Sequence, residues 1–384
     1  MTIRPFRFHA PEAVLADLRR RLESTRWPDE VPRSGWDYGA NLGALRDLAA
    51  SWRDGFDWRA QEERINRLPH FRAEIDGLGI HFLHYRGRGP DPLPILLLHG
   101  WPSSFLEMVG LAPRLADPAS SGGAAGDAFD VVVPSLPGIG FSDRPQAPGM
   151  TKTRMGALFT RLMVEGLGHA RFAVRGGDIG SGVAAWMGVD YPEQVLGIHV
   201  SDVLRPGLGP ESPPLTAAEQ AFLAEEARWM EAEGAYDHVQ RTKPQTLAYG
   251  LHDSPVGLLA WIVEKLRSWS DCGGYVTRRF SEDEILTLVT LYWVTETINS
   301  ANRLYFERDR APRFLAPGQR VEVPCAVTIF PADIDRPPVE WGRRAYNVQS
   351  WTEMPRGGHF AAHEEPELLA RDLREFFRPL RAAT

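Results

Sequence analysis

The sequence predicts an α/β protein with a mostly parallel, doubly wound sheet, a helical lid and an N-terminal helical meander. Two observations carry this. Short apolar runs at Pro94–Leu98, Phe129–Val133, Phe172–Val174 and Val195–Ser201 are separated by stretches with helical spacing, the βαβ pattern of a parallel sheet. The runs are continuous, which suits strands buried on both faces. After Asp202 the alternation gives way to a block of helices and resumes at Pro324–Phe330, as in a sheet interrupted by an inserted lid.

Residues 1–85 read as helices and turns that pack on the core of the chain. Pro11 can open a helix in which Val14, Leu15, Leu18 and Leu22 form one apolar stripe, and Pro28 ends it. Ala40–Trp52 and Trp58–Leu68 read as further amphipathic helices, with strand signals from Glu74 through Ile80–Tyr85. Residues 86–204 are the first part of the core, with helices expected at Phe105–Leu115 and Thr153–Leu167 and a flexible loop at Asp117–Asp127. Residues 205–320 are the lid. Its linker is Pro206–Pro214, and its helices are Thr216–Gly234, Ser254–Ser268 and Ser281–Arg303, each with a capping residue at or before its start. Residues 321–384 complete the core with the Pro324–Phe330 strand, a short last strand at Trp351–Met354 and a closing helix at Glu364–Phe377.

Of the 384 residues, 43% are hydrophobic and 24% charged, the balance of a globular chain with a sizeable core. A net charge of −7 disfavours nucleic acid and acidic membranes as partners. Cys272 and Cys325 lack metal-ligand spacing and form no disulfide framework, so reduced thiols and a cytoplasmic location are expected. The start has no apolar signal-peptide core, and no apolar run is long enough for a bilayer. The oligomeric state stays open, a homodimer included.

The chemistry centres on Val174-Arg175-Gly176-Gly177-Asp178-Ile179-Gly180-Ser181-Gly182. Strand, tight glycine turn and helix make a nucleophile elbow, here with a carboxylate, Asp178, in place of serine. A carboxylate elbow attacks an sp³ carbon bearing a leaving group, such as an epoxide or alkyl halide, and becomes an ester. The ester's oxyanion needs backbone donors, for which the candidates are Ile179 and, after the strand ending at Leu98, Trp101 of His99-Gly100-Trp101-Pro102. The water-activating base is expected late in the chain: His359, in Arg356-Gly357-Gly358-His359-Phe360, with His363 as nearest rival. Asp333 and Asp335, after the Ala326–Phe330 run, both qualify as the acid that orients it. A proton donor to the leaving oxygen could be a lid tyrosine, Tyr236, Tyr249, Tyr275, Tyr292 or Tyr305. Trp186, Trp261, Trp269, Trp293 and Phe306 are candidates to line an apolar pocket.

Together, Gly176-Gly177-Asp178-Ile179-Gly180-Ser181, His99-Gly100-Trp101-Pro102, Pro134-Ser135-Leu136-Pro137-Gly138-Ile139-Gly140-Phe141-Ser142 and Gly357-Gly358-His359-Phe360-Ala361-Ala362-His363-Glu364-Glu365-Pro366 resemble the microsomal-type epoxide hydrolases. Arg4-Pro5-Phe6 and Arg26-Trp27-Pro28 resemble that family's N-terminal meander, so the likeness spans nearly the whole chain. The resemblance implies the α/β-hydrolase fold, a small epoxide substrate of apolar or aromatic character, and no cofactor or metal. It also implies Asp178 as nucleophile, His359 as base and, through Phe330-Pro331-Ala332-Asp333-Ile334, Asp333 as the acid. Ala235-Tyr236-Asp237-His238 and Arg303-Leu304-Tyr305-Phe306-Glu307 are similar to the two lid segments that supply a tyrosine pair. Two departures stand out: Ile179 replaces the family's tryptophan, and the animal members' N-terminal membrane anchor has no counterpart. The alternatives are a haloalkane or haloacid dehalogenase with the same nucleophile, and an inactive binding protein.

Overall fold

A computed structural model describes residues 1–311 and 314–383. The chain opens with strand β1 (Ile3–Pro5) and helices α1 (Glu12–Glu23), α2 (Leu42–Asp54) and α3 (Trp58–Asn66). Strands β2 (His70–Ile75) and β3 (Leu78–Tyr85) come next. Residues 1–85 are therefore not only helices and turns: β1, β2 and β3 pair antiparallel and extend the central sheet. β1 is three residues long on a sheet edge and largely exposed, and so carries little apolar signal.

The core then runs β4 (Leu93–Leu98), α4 (Ala112–Ala116), β5 (Phe129–Pro134), α5 (Lys152–Arg161), β6 (Phe172–Gly176), α6 (Ile179–Asp190) and β7 (Val195–Val200). The helix expected at Phe105–Leu115 is instead a 3₁₀ turn, Phe105–Val109, followed by the short α4. The expected loop at 117–127 contains two 3₁₀ turns. The lid comprises α7 (Ala217–Glu233), α8 (Ala235–Thr242), α9 (Pro244–Asp253), α10 (Pro255–Trp269), α11 (Glu282–Thr295) and α12 (Ile298–Arg308). The single helix expected over Ser281–Arg303 is two: a Ser281/Glu284 capping box starts α11, and Glu296 in the left-handed region (φ 54°) ends it. The chain closes with β8 (Val321–Ile329), α13 (Val339–Ala345), β9 (Tyr346–Glu353), α14 (Ala361–Glu364) and α15 (Pro366–Phe377).

The nine strands lie in the order β1-β2-β3-β5-β4-β6-β7-β8-β9, parallel from β5 to β9. Side chains alternate between two apolar clusters, Leu96, Leu98, Val174 and Ile198 in one and Ile95, Leu97 and Ala173 in the other. Burying each Leu or Ile stabilises the fold by roughly 1.5–3 kcal/mol, which is why the continuous runs are legible as central strands. Strand order reverses around β4, and the crevice at such a reversal, beyond the strands' carboxyl ends, is where ligands bind in open α/β sheets. Among the described residues no helix is long and apolar enough to cross a membrane. Cys272 and Cys325 are free and buried.

Candidate active site

β6 ends at Gly176, and two residues later Asp178 takes φ 51° and ψ −122° before α6 begins. This is strained for a residue with a Cβ and costs on the order of 1–3 kcal/mol; the bend lifts the carboxyl out of the sheet. Gly180 lets α6 sit tight on β4, since a Cβ there would lie 2.8 Å from the Leu98 carbonyl carbon. The Asp178 side chain is 24% exposed and its neighbours are not: the His359 and Asp333 side chains are 3% and 2% exposed. Of these three, the nucleophile candidate alone is open to a ligand.

The Trp101 N–H donates to Asp178 Oδ1 at 2.7 Å. The second expected donor, the Ile179 amide, makes no bond to Asp178 among the described residues. A Cβ at Gly100 would lie 2.7 Å from Asp178 Cγ and closer still to Oδ1. Gly100→Ala should therefore displace the carboxyl and lower kcat by roughly 100-fold, with thermal unfolding showing a folded protein. His99 anchors this turn: Leu136 N–H donates to Nε2 (3.1 Å), and Nδ1 lies 3.1 Å from Gly100 O. Burial pushes the His99 imidazole down to about 4, so the ring is a neutral strut.

His359 sits past β9 in the glycine loop ahead of α14 and packs edge-on against Trp269 at 5.2 Å. Its Nδ1 lies 2.8 Å from Asp333 Oδ1. Nε2 lies 3.9 Å from Asp178 Oδ2 and has no hydrogen-bond partner among the described residues. Burial opposes charge on this ring, but Asp333, Asp178 and Asp202 outweigh it and hold the imidazole up at about 10. Asp333, just past β8, occupies Nδ1; Asp335 does not, and desolvation pushes its carboxyl well above the usual range. His363 is half-buried, its ring stacked on Phe280 at 4.5 Å, and lies 3.0 Å from Arg279 O rather than on the nucleophile.

Two lid helices bring their tyrosines over the elbow. Tyr236 on α8 stacks on Trp101 (5.4 Å, 6°), Tyr305 on α12 meets the same indole edge-on (5.7 Å, 83°), and the phenol rings are 6.0 Å apart. Both are buried. Burial foremost, with Asp178 adding to it, raises both phenols above their ordinary range, so they keep their protons as donors. Arg308 lies over Tyr305 and donates to Asp237 Oδ1 at 2.6 Å, tying α12 to α8. Of the other candidates, Tyr292 donates to Ser103 O (2.8 Å), while Tyr249 and Tyr275 are 73% and 64% exposed.

Asp178 opens on a cavity of about 160 Å³ whose walls include Lys152, Trp186, Asp202, Leu204, Arg308 and Phe314. Trp186 thus lines the site, and Trp269 adjoins it through His359. Trp261 instead bonds Gln240, and Trp293 and Phe306 lie under Arg21 and Arg310. Sequence reasoning missed Asp202 and Arg175. Asp202 stands two residues past β7, and that strand-end position was the signal that could have found it. Two His/Asp groups bring ligand-type atoms together among the described residues. One is Asp202, Asp333 and His359; the other, His84, Asp130 and His169, is a hydrogen-bonded pair (His84 Nε2 to Asp130 Oδ2, 2.8 Å) with a second imidazole 3.2 Å from that oxygen.

The chain matches the family described as Epoxide hydrolase N terminus over residues 3–108 and that described as alpha/beta hydrolase fold over residues 94–244. It is 36% identical over 402 residues to Epoxide hydrolase 1 of Sus scrofa, covering 98% of this chain and 88% of that protein. It is similar to the crystal structure of juvenile hormone epoxide hydrolase from the silkworm Bombyx mori, with a TM-score of 0.88 and 29% identity over 100% of this chain and 95% of that one. The Aspergillus niger epoxide hydrolase gives a TM-score of 0.86 at 30% identity, covering 99% of this chain and 97% of that one. Likeness of this extent covers meander, core and lid together, and the chain belongs to the epoxide hydrolase family, on the α/β-hydrolase fold.

Proposed function

We propose that this enzyme opens a small epoxide to a vicinal diol through a covalent ester on Asp178. One observation carries the reading: the elbow carboxylate has an imidazole 3.9 Å from its Oδ2 and acts electrostatically on two buried phenols packed against Trp101, whose N–H holds its Oδ1. Oδ1 is held by the Trp101 N–H, which leaves Oδ2 to attack an oxirane carbon. The carbon–oxygen bond breaks, a proton from Tyr236 or Tyr305 goes to the leaving oxygen, and an ester remains. Water between His359 Nε2 and the ester carbonyl then gives its proton to the imidazole and adds to Cγ. The Trp101 N–H stabilises the resulting oxyanion. Collapse releases the diol, the leaving oxygen takes the imidazolium proton, and the remaining carboxyl proton returns to the phenolate.

The electrostatics order the two steps. In the resting enzyme Asp178 helps keep the imidazole protonated. Esterification removes that negative charge, so the His359 pKa falls, the resting proton is lost to solvent and the ring becomes a base once the ester exists. A proton is regained from solvent when the Asp178 carboxylate re-forms.

Trp186, Leu204 and Phe314 give this cavity an apolar wall for an oxirane's substituent, alongside the polar Lys152, Asp202, Arg205 and Arg308. A panel of styrene-type and aliphatic oxiranes against haloalkanes tests the reaction. Diol without halide release is expected; halide release without diol would make this a dehalogenase, and turnover of neither would reject catalysis of this class. Tyr236→Phe and Tyr305→Phe should each slow ester formation by roughly 10- to 100-fold, and the double variant by more than either. Stopped-flow measurement of the first step checks this, and unchanged rates would remove the phenols from the scheme.

A further inference from the structure

Asp202 is a third carboxylate at the elbow, and it faces the nucleophile from the neighbouring strand. The Asp178 N–H donates to Asp202 Oδ2 at 2.6 Å, and the Ser181 hydroxyl donates to the same oxygen at 3.1 Å. Asp202 therefore grips both the strained residue and the first turn of α6. It also borders the cavity on which Asp178 opens. One ligand-type atom from each of Asp202, Asp333 and His359 lies within 4.8 Å of the others. A cation is close by: buried Arg175, the residue before Gly176, donates to Ser201 Oγ at 2.6 Å, and its Nε and Nη1 have no hydrogen-bond partner among the described residues. Arg175 interacts electrostatically with Asp202 and Asp333, so a buried guanidinium compensates the added negative charge.

We propose that Asp202 is a positioning residue of the hydrolytic site, clamping the nucleophile elbow through the Asp178 N–H and placing a second carboxylate beside the His359 imidazole. The proposal rests on the epoxide hydrolase reading for its kinetic part only. Without the clamp the Asp178 N–H loses its acceptor in a conformation that few residues adopt, and among the described residues Asp178 is held only through Oδ1 at Trp101 and through its carbonyl at the start of α6. Without the charge, His359 loses one of the three carboxylates that favour its protonated form. The charged groups acting on that ring are Asp333 at Nδ1, Asp178 near Nε2, Asp202 within 4.8 Å of one ring nitrogen, and Glu107, with Arg175 acting on the carboxylates. Asp202 itself is pushed upward by desolvation and by Asp333, while His359 and the Asp178 N–H act in the opposite sense.

Two substitutions separate clamp from charge. Asp202→Asn keeps an acceptor for the Asp178 N–H and removes the charge; Asp202→Ala removes both. NMR titration of the His359 ring in the resting protein should show its pKa lowered by roughly one unit in either variant. The acid limb of single-turnover ester hydrolysis should move the same way, because the neutral ring is the active form. Asp202→Ala should also lower kcat by roughly 10- to 100-fold with KM within about twofold, and Asp202→Asn should recover most of that loss. An unmoved His359 titration in both variants, or equal kcat for Asp202→Ala and wild type, overturns the proposal. If Asp202→Ala fails to fold, Asp202→Asn still decides through the titration. The titration needs no substrate, so a wild-type protein inert toward every oxirane would reject the proposed function and leave this inference standing on its own result.

Discussion

Replacing Asp178 by Ala should abolish diol formation, with kcat falling by about 10⁴-fold or more. The size reflects what the side chain alone supplies. No other carboxylate both opens to the cavity and is held by the Trp101 N–H, so no neighbour can form the ester in its place. The protein should remain folded, because the side chain is partly exposed and its loss relieves like-charge crowding with Asp202. Asp178→Asn adds a sharper test. The amide keeps an acceptor for Trp101 N–H and removes the charge that helps hold His359 protonated. Its imidazole should then titrate below the value of about 10 set in the intact site, as NMR of the ring protons would show. Diol formation at wild-type rates by either variant would reject the covalent scheme outright.

How far the sequence disclosed this arrangement depends on how each element is buried. β4, β5 and β6 were legible because both faces are covered, which leaves uninterrupted apolar runs. β1 was not, because three residues on an edge need no apolar pattern. The α8 and α9 helices passed unread although Gly234 closes the helix before them and Pro244 opens α9, because at eight and ten residues each is too short for its apolar periodicity to stand out. The break between α11 and α12 was invisible for a related reason: its left-handed residue is Glu296, where glycine would have announced the turn.

The site divides in the same way. Asp178, Trp101 and His359 sit just past strand ends in glycine- or proline-marked turns, so position and residue type together pointed to them; for the acid they left Asp333 and Asp335 both open, and only family resemblance chose Asp333. The tyrosine pair came from family resemblance, since spacing cannot reveal which helices will cross; packing of α8 against α12 brings Tyr236 and Tyr305 together. Asp202 stands two residues past β7, a position that could have marked it, and the backbone bond from Asp178 N–H is what ties it to the elbow.

Replacing His359 by Gln should stop the reaction halfway. Ester formation needs Asp178 and the phenols, so it should proceed at a rate within about tenfold of wild type. Hydrolysis needs a base within reach of water, and its loss should cost about 10²- to 10⁴-fold. No second imidazole stands ready: His99 is neutral and bonded at both nitrogens, and His363 faces Arg279 O. The ester should therefore accumulate, and mass spectrometry after digestion should find the epoxide's mass added to the peptide carrying Asp178. Wild type should show the adduct only briefly, with hydrolysis rising with pH along a limb well below 10, because the ester no longer contributes the Asp178 charge. A variant that turns over freely, or one that stalls with no adduct, would each contradict the role assigned to His359. The first would mean another base, and the second that the ring acts before the ester forms.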